Sequence, residues 1–223
     1  MDVYQERAYH WFSAPCACSD NWSTGQLARG DHLYRPAQVA TLLASGQQDI
    51  RTFPSVHDQT EISIDVSSAN PQHLFISCQI FGTVQGWFFS TDGGMNWTGS
   101  ESPPPGLPLS SVGGDPVAVF DGSDIAYWVS LGTSSAGGIQ VARSTDLGQS
   151  WTLSNADPLR STTNHKAHAM TDKSGVYPNN IYVAWLDNTV PNGGIVLTRS
   201  TDHGLSWSSR FTFPIGSDGG GRY

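Results

Sequence analysis

The octapeptide Ser90-Thr91-Asp92-Gly93-Gly94-Met95-Asn96-Trp97 recurs twice further along the chain. Its other copies are Ser144-Thr145-Asp146-Leu147-Gly148-Gln149-Ser150-Trp151 and Ser200-Thr201-Asp202-His203-Gly204-Leu205-Ser206-Trp207. All three follow the pattern Ser-Thr-Asp-x-Gly-x-x-Trp, and their first residues are 54 and 56 positions apart. We call each copy a box. A fixed period of this length predicts a repeat architecture.

The residue types of the box suit a tight turn between two strands. An Asp side chain can accept hydrogen bonds from backbone amides that follow it, and Gly adopts positive φ without strain. The Trp can then cover the turn and pack between sheets. We therefore assign these positions a structural role: Ser90, Asp92, Gly94, Trp97, Ser144, Asp146, Gly148, Trp151, Ser200, Asp202, Gly204 and Trp207.

Short runs rich in aromatic and β-branched residues flank every box, and such runs are typical of strands. One run precedes each box directly, at residues 87–89, 139–143 and 195–199. Earlier runs lie at residues 74–80, 125–131 and 181–186, and at 61–66, 116–120 and 166–170. The box Trp begins a fourth run. Four short strands in a unit of about 55 residues predict one blade of a β-propeller.

Composition supports an all-β fold and excludes several other classes. Charged residues make up 13% of the 223 residues, too few for a coiled coil, while 24 Gly and 13 Pro favour turns. A net charge of -8 makes nucleic acid an improbable partner, because phosphate binding needs clustered Lys and Arg. No apolar run approaches the roughly 20 residues of a membrane-spanning helix.

The repeat divides the chain into three parts. Residues 1–50 do not repeat and form an irregular N-terminal segment, in which residues 36–45 are predicted to form one short helix that begins with proline. Residues 51–213 hold the three predicted blades. Residues 214–223 form a Gly-rich tail.

The boxes resemble the Asp-box, or bacterial neuraminidase repeat, of sialidases and related propellers. The resemblance covers about residues 51–213, and residues 59–64, 70–71, 114–116 and 181–185 also resemble secreted bacterial proteins of the exo-alpha-sialidase type. It implies an extracellular, glycan-directed propeller of the glycoside hydrolase class. The same repeat occurs in xyloglucan-degrading enzymes, sorting receptors and photosystem assembly factors, so it indicates architecture more than activity.

The family resemblance implies a site with three arginines for the sialic acid carboxylate, a Tyr nucleophile with its Glu, and an Asp as acid/base. Arg51, in Arg51-Thr52-Phe53-Pro54, loosely matches the Arg-Ile-Pro motif of the first arginine, or belongs to an ordinary loop. The Asp is expected after the second strand of the first blade, but residues 80–86 contain no acidic residue. Arg143 and Arg199 occupy equivalent places before box serines, which favours a structural role.

In addition to Arg51, the sequence offers two further candidate catalytic residues, Glu61 and Asp115. Glu61 shares one strand face with Ser63 and Asp65, and two carboxylates on one face could act as an acid/base pair. The alternative is a solvated face, or one that contacts the N-terminal segment. Asp115 precedes Pro116 and either sets a turn or transfers protons.

No metal or cofactor is expected. Cys16 and Cys18, with His10 and His32 nearby, lack clear zinc spacing, and the pattern of His165 and His168 lacks the Glu and helix of a zinc protease motif. No dense carboxylate cluster indicates calcium.

Ring closure is the remaining question. A sialidase-like ring of six blades needs about 330 residues at this period, and the sequence holds three units. We therefore expect a partial propeller or one completed by association of copies. Two functions follow: a glycan-directed hydrolase, or a noncatalytic extracellular assembly or surface-binding module that self-associates through open blade faces into an oligomer or filament.

Overall fold

A computed structural model describes residues 52–80, 85–104, 107, 112–132, 137–161, 163–190 and 193–214. Arg51, Cys16, Cys18, the predicted helix at 36–45 and residues 215–223 of the tail lie outside these residues. The described part contains no helix, and so none long and apolar enough to cross a membrane. Its strands are β1 (Gln59–Val66), β2 (Leu74–Ile80), β3 (Gln85–Ser90), β4 (Thr98–Ser100), β5 (Val112–Phe120), β6 (Ala126–Gly132), β7 (Gly138–Ser144), β8 (Thr152–Asn155), β9 (Asn164–Thr171), β10 (Ile181–Asp187), β11 (Gly194–Ser200) and β12 (Phe211–Pro214).

The strands form three antiparallel four-stranded sheets with the orders β1-β2-β3-β4, β5-β6-β7-β8 and β9-β10-β11-β12. Each sheet is one blade, and each box connects the third strand of its blade to the fourth. The predicted all-β fold of three four-stranded propeller blades is therefore confirmed. β5 contacts both β1 and β9, which makes these first strands the inner strands of the three blades.

Burial along the second strands reflects the order of the blades. Every residue of β6, in the middle blade, is buried, because sheets pack on both of its faces. Residues of β10 alternate between buried and half-buried, because only one face of the third blade is covered by the second. Val183 and Trp185 point to the covered face.

Two apolar layers hold the blades together. Between the first and second blades, Phe75 and Phe89 stack at 4.3 Å and meet Phe120 and Trp128. Between the second and third blades, Tyr127, Val129 and Ile139 pack against Ile181, Val183 and Trp185. Burial of each large apolar side chain contributes about 2–3 kcal/mol, so these layers supply most of the stability of the stack.

A polar contact on each side holds the turn between β5 and β6. His73, in the first blade, approaches Asp124 with Nδ1 2.6 Å from Oδ2. His203, in the third box, approaches the buried Asp121 with Nδ1 2.8 Å from Oδ2. Tyr127 also donates its hydroxyl to Asp121 at 2.7 Å, and burial, followed by Asp121, raises the pKa of this tyrosine. Each neighbouring blade therefore contributes one histidine contact to the same turn of the middle blade.

The outer faces of the first and third blades expose apolar side chains. Ile62, Ile64 and Val66 alternate along β1 with side chains directed at the second blade, and are 64%, 55% and 43% exposed. On the third blade the exposed apolar residues are Met170, Ile195, Phe211 and Phe213. We call these two surfaces the open faces.

Candidate functional site

Each inner strand carries a β-bulge with a charged residue in the left-handed region. Glu61 and Asp115 both have φ of 50°, and Lys166 has φ of 49°. The strand pairing shifts register at each of these points. Positive φ costs a non-glycine residue about 1 kcal/mol or more, so each bulge is held by contacts around it.

The three bulge residues contact one another across the blades. Glu61 Oε2 accepts the backbone amide of Asp115 at 3.1 Å. Asp115 Oδ2 accepts the backbone amide of Lys166 at 2.7 Å, and its Oδ1 accepts Lys166 Nζ at 3.1 Å. Lys166 Nζ also lies 3.9 Å from Glu61 Oε1. We call Glu61, Asp115 and Lys166 the axial cluster.

The axial cluster lies at the end of the blades opposite the boxes. Gln59 pairs with Ile80 near Glu61, so this end carries the connections between the second and third strands of each blade. Val66 and Ser90 both pair with Leu74 at the other end, where the boxes begin. We call these the loop end and the box end. Loops placed on a rigid scaffold are the usual location of binding groups.

The two carboxylates of the cluster differ in accessibility. Asp115 has a side chain 13% exposed, and Lys166 occupies both of its oxygens. Asp115 in turn raises the pKa of Lys166 by hydrogen bonding and by its charge, which keeps the ammonium protonated. Glu61 is 41% exposed, and its Oε1 is beyond hydrogen-bond range of Lys166 Nζ. Glu61 is therefore the carboxylate that can meet a ligand.

Two glutamine side chains, those of Gln79 and Gln85, lie close to Gly114 and border the axial cluster. Gln85 is fully buried and donates Nε2 to the carbonyl of Gly114 at 3.0 Å. A Cβ atom at Gly114 would lie 3.6 Å from Gln79 Oε1 and 3.8 Å from Glu61 Oε2. The Oε1 atoms of Gln79 and Gln85 are buried and accept no hydrogen bond from the described residues. Buried acceptors of this kind call for a hydroxyl or a water.

A second polar group lies at the loop end of the first blade. Glu101 Oε2 is 3.1 Å from His57 Nδ1, and its Oε1 accepts Gln59 Nε2 at 3.0 Å. Hydrogen bonding from Ser55, then from His57 and Gln59, lowers the pKa of Glu101. Sequence reasoning missed this group because Glu101 follows β4, more than 40 residues from its partners.

A buried ionic group joins the second and third blades. Asp157 and Asp187 are completely buried, and Arg210 contacts both of them while its guanidinium lies 5.5 Å from the centre of the Trp185 ring. Burial opposes ionisation of Asp187, but hydrogen bonds from Thr189 and Arg210 outweigh it and lower the pKa. These charges are enclosed, so the group fixes the blades and is closed to a ligand.

The first two boxes close their turns by the same hydrogen bonds. In the first, Ser90 Oγ donates to Asp92 at 2.9 Å and accepts Gly94 N at 2.8 Å, while Trp97 Nε1 donates to the Gly94 carbonyl at 2.9 Å. The second box repeats this set.

The third box departs from the pattern at its tryptophan. Trp207 Nε1 donates to Ser154 Oγ in the second blade at 3.0 Å, and Ser154 donates to the carbonyl of Gly204 at 2.7 Å. The indole of this box therefore ties two blades together.

Two of the other sequence candidates, both arginines, lie outside the inner strands that carry the axial cluster. Arg143 and Arg199 lie in third strands, β7 and β11. His165 and His168 are exposed in β9, and no group of three metal-ligating side chains occurs among the residues that the structure describes. Arg51 lies outside those residues.

No protein-family model and no curated protein matches the sequence. Among solved structures, the chain is similar to an α-L-arabinofuranosidase of Fusarium graminearum in complex with arabinobiose, with a TM-score of 0.51 and 16% identity over 75% of this chain and 52% of that one. It is also similar to an α-L-arabinanase of Penicillium chrysogenum complexed with arabinobiose, with a TM-score of 0.52 and 13% identity over 75% of this chain and 53% of that one.

The NanB sialidase of Streptococcus pneumoniae aligns less well, with a TM-score of 0.43 and 20% identity over 61% of this chain and 19% of that one. The chain thus spans about half the length of the two arabinan-related structures, and the likeness to them shows a shared fold.

Proposed function

We propose that this chain is part of a glycan-directed propeller of the glycoside hydrolase type, with its glycan site at the loop end. The observation that carries the proposal is the axial cluster, in which three blades each contribute one charged residue from a bulge. Maintaining three residues at positive φ has a conformational cost, and such costs concentrate at functional sites. The fold shared with two arabinan-related enzymes supports the same class.

The two carboxylates take different roles in this proposal. Glu61 has an open, exposed oxygen, so it exchanges a proton with the glycosidic oxygen or with water. Asp115 is fixed by Lys166 and supplies a fixed negative charge beside the positive charge that develops on the sugar ring. Lys166 holds Asp115 in place through both its amide and its ammonium.

The more specific form of the proposal is an extracellular exo-alpha-sialidase of the Asp-box family. In that form Arg51 binds the sialic acid carboxylate, since a guanidinium matches a carboxylate in a bidentate manner. Turnover of a fluorogenic sialoside that is abolished by Arg51→Ala supports this form, and turnover of other glycosides alone contradicts it.

The general proposal is tested with aryl glycosides of arabinofuranose, galactose and sialic acid. We expect turnover of at least one, and a loss of at least about 100-fold in kcat for Glu61→Gln, because an amide cannot transfer the proton. Asp65→Asn is the control, because it removes one negative charge from the same strand but at the box end. Equal turnover by Glu61→Gln and the unaltered chain contradicts the assignment.

The second candidate is a noncatalytic extracellular assembly or surface-binding module. The open faces favour it, because exposed, contiguous apolar surfaces often mark sites of association. A contact between the first-blade face of one copy and the third-blade face of another would run head to tail and could form a ring or a filament.

A further inference from the structure

The open face of the third blade carries the same side chains as the face of the second blade that the third blade covers. The box serines align the two blades, because each of them pairs with the first residue of its blade's second strand. Two cross-strand pairs then recur at the same distances before the box. They are Tyr127–Arg143 and Leu131–Ile139 in the second blade, and Tyr182–Arg199 and Leu186–Ile195 in the third.

The corresponding side chains differ in exposure. In the second blade, Tyr127 and Ile139 are completely buried in the layer against the third blade. In the third blade, Tyr182 is half-buried, Arg199 is exposed and Ile195 is 52% exposed. Because stacked repeats bury their apolar faces against neighbouring repeats, the open face is suited to contact with another blade.

Each covered face receives the box of the following blade next to one particular cross-strand pair. A Cβ at Gly204, in the third box, would lie 3.1 Å from the Tyr127 ring. A Cβ at Gly148, in the second box, would lie 2.6 Å from the ring of Phe89, which pairs with Phe75 at the equivalent position. The third blade has the same pair position, formed by Tyr182 and Arg199, and we call these two residues the third-blade socket.

The first box has no contact of this kind among the described residues. A Cβ at Gly94 would meet Trp97 at 3.7 Å and Leu74 at 3.9 Å, both in its own blade. Leu74 is half-buried, and its strand partner Val66 is 43% exposed. Phe53 packs on the buried cluster further along the same blade. One box and one socket are thus unfilled in the described part of the chain, and they are the two halves of a contact that the chain makes twice.

We propose that a second copy of this chain completes the contact, with the first box of one copy on the third-blade socket of the other and Gly94 against Tyr182. Such a contact is head to tail, and two of them, made reciprocally, join two copies into a closed ring of six blades. The chain spans about half the length of each arabinan-related structure, so two copies have about the length of one such protein. The inference rests on the second candidate function and deepens it, because it names the partner and favours a closed pair over a filament.

Sedimentation equilibrium of the full chain measures the mass of the assembly. We expect a plateau at about 48 kDa, twice the 24.0 kDa of one chain. Gly94→Leu should raise the dissociation constant at least about tenfold, because its side chain would separate the box from Tyr182. Gly175→Leu is the matched control, since Gly175 also has positive φ and a Cβ there would meet no described atom within 4 Å.

Mixing two variants tests the direction of the contact. Gly94→Leu obstructs the box and leaves the socket, whereas Tyr182→Lys alters the socket and leaves the box. A pair of identical variants has no intact contact, but a mixed pair keeps one. We therefore expect the mixture to associate at least about tenfold more tightly than either variant alone. Thermal unfolding establishes that each variant is folded, and Arg199→Glu, at an exposed residue of the socket, replaces Tyr182→Lys if that variant is not.

The outcomes separate the inference from the functions proposed above. A mass that continues to rise beyond that of two copies overturns the closed pair. Association that Gly94→Leu leaves unchanged, or a mixture that associates no more tightly than its components, overturns the inference and leaves the assembly candidate standing. A chain that stays monomeric overturns both, while turnover of glycosides decides the hydrolase proposal independently.

Discussion

Asp202, in the third box, shows how a single carboxylate stabilises a turn. Hydrogen bonds from Ser200, then from Ser206, lower its pKa from 3.8 to about 2. The same pattern of donors lowers the pKa of Asp92 in the first box. The folded state therefore favours the ionised form of these side chains, and stability is linked to pH through them.

The sign of this linkage gives the first prediction. A depressed folded pKa contributes stability fully above the unfolded value near 3.8, and this contribution is lost as the pH falls towards about 2. We expect Asp202→Asn to lower the free energy of unfolding by about 1 kcal/mol at pH 7 and to flatten its decline between pH 4 and pH 2.

Urea unfolding at a series of pH values measures this effect. Asp58→Asn, at an exposed site outside the boxes, is the matched control. An Asp202→Asn variant whose stability falls as steeply with acid as that of the unaltered chain would show that the box carboxylate does not drive the pH dependence.

At the scale of the element, the glycines of the three boxes differ in how closely they approach the preceding blade. A Cβ at Gly148 would lie 2.6 Å from the Phe89 ring of the first blade, and one at Gly204 would lie 3.1 Å from the Tyr127 ring of the second. Among the described residues, a Cβ at Gly94 would meet atoms of its own blade alone, at 3.7 Å from Trp97. All three glycines have positive φ, so the strain from φ is similar and the clearance differs.

This difference predicts an order for three equivalent substitutions. Gly94→Ala should cost about 1 kcal/mol of unfolding free energy from backbone strain, Gly204→Ala about 2 kcal/mol, and Gly148→Ala about 3 kcal/mol or more, because a rigid ring must shift. Denaturant unfolding of the three variants checks the order. Equal losses would mean that backbone strain alone decides, and that the boxes do not pack on the preceding blade.

The sequence predicts the strands of the blades more completely than it predicts the axial cluster. The box and the runs around it are local, so the strands of each blade could be read from one period. The sequence indicates Glu61 and Asp115 as separate candidates and does not indicate Lys166, because the contacts of the axial cluster join bulges 54 and 51 positions apart. A charged residue near the start of the first run in every unit was the available clue.

At the scale of the whole molecule, the open faces present exposed apolar side chains on the first and third blades. Phe211 and Phe213 are 57% and 47% exposed on the third blade, and Ile62 is 64% exposed on the first. In the middle blade, which has a neighbouring blade on each face, the side chain of Trp128 is only 1% exposed. The sequence predicted open faces from the count of units, and the structure shows which side chains form them.

Self-association through these faces is the third prediction. The chain of 24.0 kDa should show a rising average mass in light scattering as its concentration increases. Phe213→Lys should raise the concentration needed for association by about tenfold. Leu205→Lys, at an exposed apolar residue of a box turn, is the control. A folded monomer at every concentration up to about 100 μM contradicts the assembly form of the second candidate function.

The two histidine contacts to the β5–β6 turn have a consequence for the rate of hydrogen exchange. His73 and His203 hold this turn from opposite sides, and β6 is buried along its whole length and paired with β5 and β7. Its amides are therefore protected both by their own sheet and by the neighbouring blades. We expect hydrogen exchange in β6 to need an opening of the middle blade, whereas β12, at the edge of its sheet, can exchange by local fraying. Exchange of the β6 amides, compared with that of the β12 amides, would measure how firmly the neighbouring blades cover the middle one.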